Sequence, residues 1–221
     1  MTLIKNDIYI EFVYDYLMSS SNLRDTYNRI AKDFADEHYE DTWDDDYIAY
    51  FITALAKGAK VLDLGCGAGN DSAKLAASGL SVEGIDLSDK LIEIAKKKNP
   101  SLKFIQGDIL NLPYDDNSFD GIFAKASLLH IAKKDMPKAL NEIKRVLRAE
   151  GVLHITIKEG EGEEEVVKND YGYDYTRFFS YWKMEPFIEL LEKYSFKVIR
   201  KELFRSRPTS YTIWIKILAT R

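Results

Sequence analysis

The sequence has almost nothing with which to cross-link itself. Cys66 is its one cysteine. No disulfide can close within the chain, and no cysteine-built metal cluster can form in it. A reducing compartment is the expectation, and no metal site is expected. An excess of basic residues is also missing. The formal net charge is −5 and the pI is near 5.4, so the surface repels phosphate backbones unless a local basic stripe overrides it. The densest basic run is Lys96, Lys97 and Lys98, and it fits the last turn of a helix, where it complements the dipole. Long apolar runs are absent too. None approaches the ~20 residues that span a bilayer, and the opening segment MTLIKNDIYIEF lacks the basic and apolar blocks of a signal peptide. These absences predict a soluble, cytoplasmic protein with neither nucleic acid nor membrane as its partner. They leave the oligomeric state open.

What is present is an ordinary globular composition, 46% hydrophobic and 30% charged over 221 residues. That is enough chain to bury a core without staples. No internal repeat is visible. Residues 1–58 read as a polar, helical extension. Residues 59–158 alternate between strand and helix patterns. Residues 159–221 hold an acidic run, an aromatic cluster, a helix and two strands. In the middle part, strands are predicted at Lys60–Leu64, Ser81–Asp86, Leu102–Ile105, Phe119–Ala124 and Val152–Ile157. Helices are predicted from Asn70 to Ala77, after an N-cap at Ser88, and after a cap at Asp135 with Pro137 in the first turn. The stripe of the last is Met136, Leu140, Ile143 and Leu147. Such alternation implies right-handed crossovers and a parallel sheet covered on both faces. Ligands bind such sheets at the carboxyl ends of the strands, where strand order reverses.

The sharpest local signal is Val61 to Asp71, with glycines at 65, 67 and 69 around Cys66. These glycines permit a tight turn and close approach of a ligand to the backbone, and the following helix offers unpaired N–H groups. A nucleotide-type cofactor can sit there. The dinucleotide spacing G-x-G-x-x-G would require glycine at 70, where the chain has Asn70. Asp63, two residues before the turn, suits an ammonium group better than a pyrophosphate. A plain structural turn is the bland alternative. Asp86, at the end of the second strand, can accept hydrogen bonds from both hydroxyls of a ribose, or it can cap the next helix. Leu87 could pack on a purine face.

Further segments complete a pattern. Val61–Asp71 and Val82–Ser88 are followed by Phe104–Pro113, Asn117–Asp120, Leu128–Ile131 and Leu147–Gly151. Together they resemble the motifs of class I S-adenosylmethionine-dependent methyltransferases, most of all the small-molecule branch that includes ubiquinone-type enzymes. The resemblance is close over residues 59–158 and looser elsewhere. It implies an α/β fold with a doubly wound, mostly parallel seven-stranded sheet that ends in an antiparallel hairpin, for which Phe196–Phe204 and Thr212–Leu218 are the candidate strands. It implies S-adenosylmethionine as cofactor and S-adenosylhomocysteine as its product. Asp63 and Gly65, within the turn that Cys66, Gly67 and Gly69 complete, would meet the methionine end. Asp86 would hold the ribose, Asp108 and Ile109 the adenine. Lys125 or Ala126 would approach the methionine through the backbone. Glu150-Gly151 departs from the family's usual glycine pair, in a turn away from the cofactor.

The acceptor is less legible, because the cofactor carries the hard chemistry and the protein mainly aligns the reactants and excludes water. His130 is the candidate base, with a packing or capping role as its alternative. His38 is a weaker candidate, and His154 reads as structural. Residues 1–58 are expected to form a helical lid or extension, and 59–221 the cofactor-binding domain. Within the latter, 159–183 are expected to form an acidic loop and an aromatic substrate lid. Tyr27 and Phe34 share a helical face with Ile30 and Ala31 and are candidate substrate contacts, as are Tyr175, Arg177, Phe178 and Tyr181. Arg177 suits a carboxylate or phosphate. Cytosine C5 methylation needs a thiol nucleophile, and the only thiol lies in the glycine turn. Ala124-Lys125-Ala126-Ser127 lacks the Asn/Asp-Pro-Pro-aromatic motif in which enzymes that methylate base amino groups resemble one another. The expectation is a methyltransferase acting on O, N or C of a small molecule. An NAD(P)-binding oxidoreductase and a non-catalytic partner subunit of the same fold are the alternatives.

Overall fold

A computed structural model describes residues 22–205 and 211–221. The expected extension therefore lies partly outside the described residues. Its described part is helical at 22–38 (α1) and Asp45–Thr53 (α2). The chain then runs β1 (Lys60–Leu64), α3 (Asn70–Ala77), β2 (Ser81–Asp86), α4 (Asp89–Lys98), β3 (Lys103–Gln106), β4 (Phe119–Lys125), a 3₁₀ turn (Leu128–His130), α5 (Met136–Val146) and β5 (Leu147–Lys158). It ends with β6 (Glu163–Lys168), β7 (Tyr175–Ser180), α6 (Met184–Lys193), β8 (Lys197–Arg205) and β9 (Ile213–Thr220). Among the described residues, no helix is long and apolar enough to cross a membrane.

Seven strands form one sheet in the order β3-β2-β1-β4-β5-β9-β8. The first five run parallel, and β9 is antiparallel to both β5 and β8. Strand order reverses between β1 and β4, which fixes where a crevice opens. The period-2 alternation of a strand sorts the core into two layers. Leu62, Leu64, Ile122 and Ala124 face α5 and α6, packing with Met136, Leu140, Ile143, Phe187 and Leu191. Val61 and Phe123 face the other way, onto Ile48 and Phe51 of α2 and Leu75 of α3.

Most predicted elements lie within a residue or two of the observed ones. Ser88 caps α4 by accepting from the Leu91 N–H at 3.1 Å, and Lys96, Lys97 and Lys98 fill its last turn. Two local expectations are corrected. Asp135 makes no side-chain cap on α5. Leu147 is not in the α5 stripe; it begins β5 and pairs with Phe119, since the chain has already turned extended there. The larger correction concerns residues 159–183. The acidic run is not wholly a loop. Glu163, Glu164 and Glu165 open β6, which pairs antiparallel with β7 in a separate two-stranded sheet. Hairpin pairing satisfies the backbone while three consecutive glutamates stay exposed on both faces of the strand.

A buried ionic knot joins the segment before α2 to the sheet. Asp44, His154 and Lys216 are all fully buried. The Lys216 ammonium lies 2.7 Å from the Asp44 carboxylate, and the His154 Nε2 lies 3.3 Å from it. His154 also stacks on Phe123, 4.4 Å between centroids, so its role is structural. Removing one partner of a buried pair strands the other charge. Lys216→Met is therefore expected to lower stability by about 3–5 kcal/mol. Asp44→Asn with Lys216→Met is expected to lower it less than the single change, both read from urea unfolding midpoints.

Candidate active site

The turn after β1 needs backbone that only glycine adopts cheaply. Gly65, Gly67 and Gly69 have φ of +78°, +53° and +82°, in the left-handed region. A Cβ on Gly65 would lie 2.3 Å from that of Ser127, whereas one on Gly67 would meet only Phe34, at 4.0 Å. Gly65 thus serves the fold, and Gly67 leaves room above the turn. The N–H groups of Gly65 and Cys66 donate to the Ile85 carbonyl at 2.8 and 3.0 Å. The Gly67 N–H donates to Asp86 Oδ2 at 2.9 Å, and the Ser88 N–H donates to Oδ1 at 2.8 Å. Each Asp86 oxygen so accepts one backbone bond and keeps acceptor capacity. Ser88, not Asp86, caps the helix, which removes the capping role considered for Asp86. Burial raises the Asp86 pKa, and its backbone donors oppose the rise.

Above this turn lies a cavity of about 410 Å³, within the range of small-molecule sites. Gly65, Cys66, Gly67, Asp86, Leu87, Asp108, Ile109, Lys125 and Ala126 line it, as expected. Asp108 also accepts from the Leu110 N–H at 2.8 Å. Two expected residues do not line it. Asp63 is 3% exposed and points into the α3 face, where the Ser72 hydroxyl donates to it at 2.5 Å. Strand alternation puts Asp63 on the side of Val61, away from the opening. Gly69 precedes α3 and is boxed in by Asn99 and Phe104. The acid on the wall is instead Asp71, paired with Lys125 at 3.0 Å. Its place in the first turn after the glycines is the sequence signal that marks it.

The roof comes from α1, the segment after it, the β6–β7 hairpin and the start of β9. Tyr27 and Phe34 line the cavity, with Trp43 and Trp214 stacked beside it, 4.9 Å between centroids. From β7, Tyr175, Arg177 and Phe179 face inward. Phe178 and Tyr181 do not line the cavity. An aromatic cluster read as a loop has no preferred face, but a strand shows alternate residues only. Phe178 contributes its carbonyl, and the Tyr181 hydroxyl donates to Glu164 at 2.7 Å. Tyr171 and Phe179, within the segment expected to form the aromatic lid, line it as well, and Lys158 was missed. Lys158 ends β5, where carboxyl-end placement could have marked it.

His130 also lines the cavity, but its geometry argues against a free base. Its Nδ1 lies 2.6 Å from the Phe178 carbonyl, which can only accept. Nδ1 must carry the proton, so Nε2 accepts, and the Tyr27 hydroxyl donates to it at 2.8 Å. Both nitrogens are engaged. Burial, helped by Arg177 and Lys158, brings its pKa down to about 3. His38 bonds to Asp41 at 3.0 Å.

A glycine turn, an acid after β2 and an apolar pair flanking it, all at the crevice of a doubly wound sheet, have the form of a site for an adenosine-containing ligand. The comparisons agree. Residues 62–155 match the family described as "Methyltransferase domain". That match, to under half of the chain, runs from β1 into β5 of the seven-stranded sheet. It is 38% identical over 106 residues to a 2-phytyl-1,4-naphtoquinone methyltransferase of Nostoc punctiforme, covering 43% of this chain and 45% of that one. It is 39% identical over 98 residues to a demethylmenaquinone methyltransferase of Paenarthrobacter aurescens, covering 44% and 38%. The chain spans under half the length of these curated relatives. In fold it is similar to the 1,6-didemethyltoxoflavin-N1-methyltransferase of Burkholderia thailandensis, solved with bound 1,6-didemethyltoxoflavin and S-adenosylhomocysteine. That likeness has a TM-score of 0.74 and 20% identity, and covers 94% of this chain and 89% of that one.

Two buried groups make opposing contributions to pH dependence. Burial and the Asp71 charge push the Asp63 pKa up to about 7, from 3.8. Between those values the folded state binds a proton that the unfolded state lacks, so acidification stabilises. His130 falls from 6.5 to about 3. Between those values the unfolded state alone is protonated, so acidification destabilises. The two slopes offset each other over most of the range from pH 6.5 to 4. Asp63→Asn should unmask the histidine. Its unfolding free energy is expected to fall on acidification below pH 6.5 more steeply than wild type, by about 1.4 kcal/mol per unit, read from urea titrations across that range.

Proposed function

We propose that this chain is a methyltransferase that binds S-adenosylmethionine over the Gly65–Gly69 turn and transfers its methyl group to a small molecule held under α1 and the hairpin. The observation that carries the reading is Asp86, fixed by the Gly67 and Ser88 N–H groups yet still able to accept from a ribose. Gly67, bare of a Cβ, leaves the room such a ligand needs. Leu87 and Ile109 would flank the adenine, with Asp108 at its edge. Lys125 and Asp71, already paired, would offer one cation and one anion to the amino-acid end.

When bound, S-adenosylmethionine supplies a sulfonium-activated methyl carbon that a nucleophile attacks in line, releasing a neutral thioether. The protein's own part is placement and drying. The aromatic roof excludes water, which strengthens electrostatic contacts beneath it. His130 holds Tyr27 in place rather than taking a proton. The acidic net charge supports a small molecule over nucleic acid, and the single cysteine supports a cytoplasmic setting.

Calorimetry tests the reading. S-adenosylhomocysteine is expected to bind, and NADH is not. The reverse result would overturn the proposal. Asp86→Asn is expected to weaken S-adenosylhomocysteine roughly 10- to 100-fold, through loss of charged hydrogen bonds. Gly67→Ala is expected to weaken binding while lowering the thermal midpoint less than Gly65→Ala, whose new methyl has no space.

A further inference from the structure

The acceptor half of the cavity holds two cations without counter-ions. Lys158 lines it from the end of β5 and Arg177 from β7. The Lys158 ammonium lies 3.5 Å from the centroid of the Phe179 ring. The Arg177 guanidinium lies 5.4 Å from the same ring and 5.5 Å from that of Tyr175. Its buried Nε has no hydrogen-bond partner among the described residues. Neither cation has a carboxylate at ion-pair distance among the described residues. The acids that share the cavity are engaged elsewhere. Asp71 pairs with Lys125, Asp86 takes two backbone N–H groups, Glu37 accepts from Tyr171 at 2.6 Å, and Asp170 accepts from Tyr175 at 3.1 Å. Glu164, on the outer strand of the hairpin, accepts from Tyr181.

Buried charge is retained only when something balances it. Arginine cannot shed its proton. Burial and the nearby Arg177 lower the Lys158 pKa to about 8, so it too is largely charged near pH 7. Cation–π contacts hold both groups over aromatic faces but leave the net positive charge. The neutral His130 neither adds to that charge nor relieves it. The walls here, Tyr27, Tyr175, Phe179 and Trp214, are flat.

We infer that the methyl acceptor is a planar small molecule carrying an anionic oxygen, and that this oxygen binds between Lys158 and Arg177. The inference rests on the methyltransferase reading only for naming that ligand the acceptor. Two chemistries supply such an oxygen. A carboxylate arrives already ionised. A phenol or enol would lose its proton to solvent on binding, because two adjacent cations favour the anion. In that case no side-chain base is needed, which agrees with a His130 whose lone pair is engaged.

The test compares ligands on the full chain by calorimetry, with and without saturating S-adenosylhomocysteine. Naphthoate is the carboxylate probe and naphthamide its neutral isostere. Para-nitrophenol, whose ionised form is yellow, is the phenol probe, used at a pH where it is mostly protonated when free. Naphthoate binding about 10- to 100-fold tighter than naphthamide supports the inference with a carboxylate as the source. Yellowing of para-nitrophenol on binding supports it with an ionised phenol. In Lys158→Met and Arg177→Met the preference should shrink about tenfold or more. Equal binding of acid and amide with no yellowing would overturn the inference in the wild-type protein alone, whether or not the variants fold. If S-adenosylhomocysteine fails to bind, the cofactor reading falls separately, and the preference for the acid is still measured without it.

Discussion

The Gly67 N–H to Asp86 contact, 2.9 Å long, is the constraint on which the site depends. It ties the glycine turn after β1 to the end of β2, next to the point where strand order reverses. The same carboxylate takes the Ser88 N–H, so one side chain orders the turn and the entry to α4. Gly65 and Cys66 reinforce this through the Ile85 carbonyl. A carboxylate that accepts backbone N–H groups is held in one orientation and in its charged form against the cost of burial. The floor of the cavity is thereby set before any ligand arrives.

The roof is assembled differently, from parts far apart in the chain. The Thr26 hydroxyl donates to the Thr176 carbonyl at 3.0 Å, Tyr171 donates to Glu37 at 2.6 Å and Tyr173 to Asp33 at 2.6 Å. These bonds fasten the hairpin to α1. Arg24 and Asn28 fasten α1 to Asp89 at the start of α4. The roof is polar at its seams and aromatic inside. Such a cover can exclude water from the chemistry while its attachments remain exchangeable with solvent.

Much of the framework was legible in the sequence. Short apolar runs stopped by glycines or an acid located the parallel strands, and Ser88 located the start of α4. Leu91, Ile92 and Ala95 recur at helical spacing after that cap, and all three are buried. The glycine turn was legible for a related reason, since the left-handed backbone at Gly65, Gly67 and Gly69 is one that glycine adopts cheaply. Asp63 was misjudged because a position in sequence near a loop does not say which face of the strand a side chain takes. Phe178 and Tyr181 were misjudged because an acidic, aromatic segment gave no sign of pairing as a hairpin.

The sequence alone determined the α/β class, the glycine turn and the acid at the end of β2, because each depends on periodicity or on the conformations glycine allows. Only the tertiary structure decided that Asp63 serves α3, that His130 gives its lone pair to Tyr27, and that Lys158 and Arg177 both lie against the Phe179 ring without a carboxylate at ion-pair distance. Those outcomes depend on which groups come together from distant parts of the chain, as Tyr27 and His130 do. The physical reason is that charge balance and hydrogen-bond satisfaction are settled by neighbours in space, which no local pattern records.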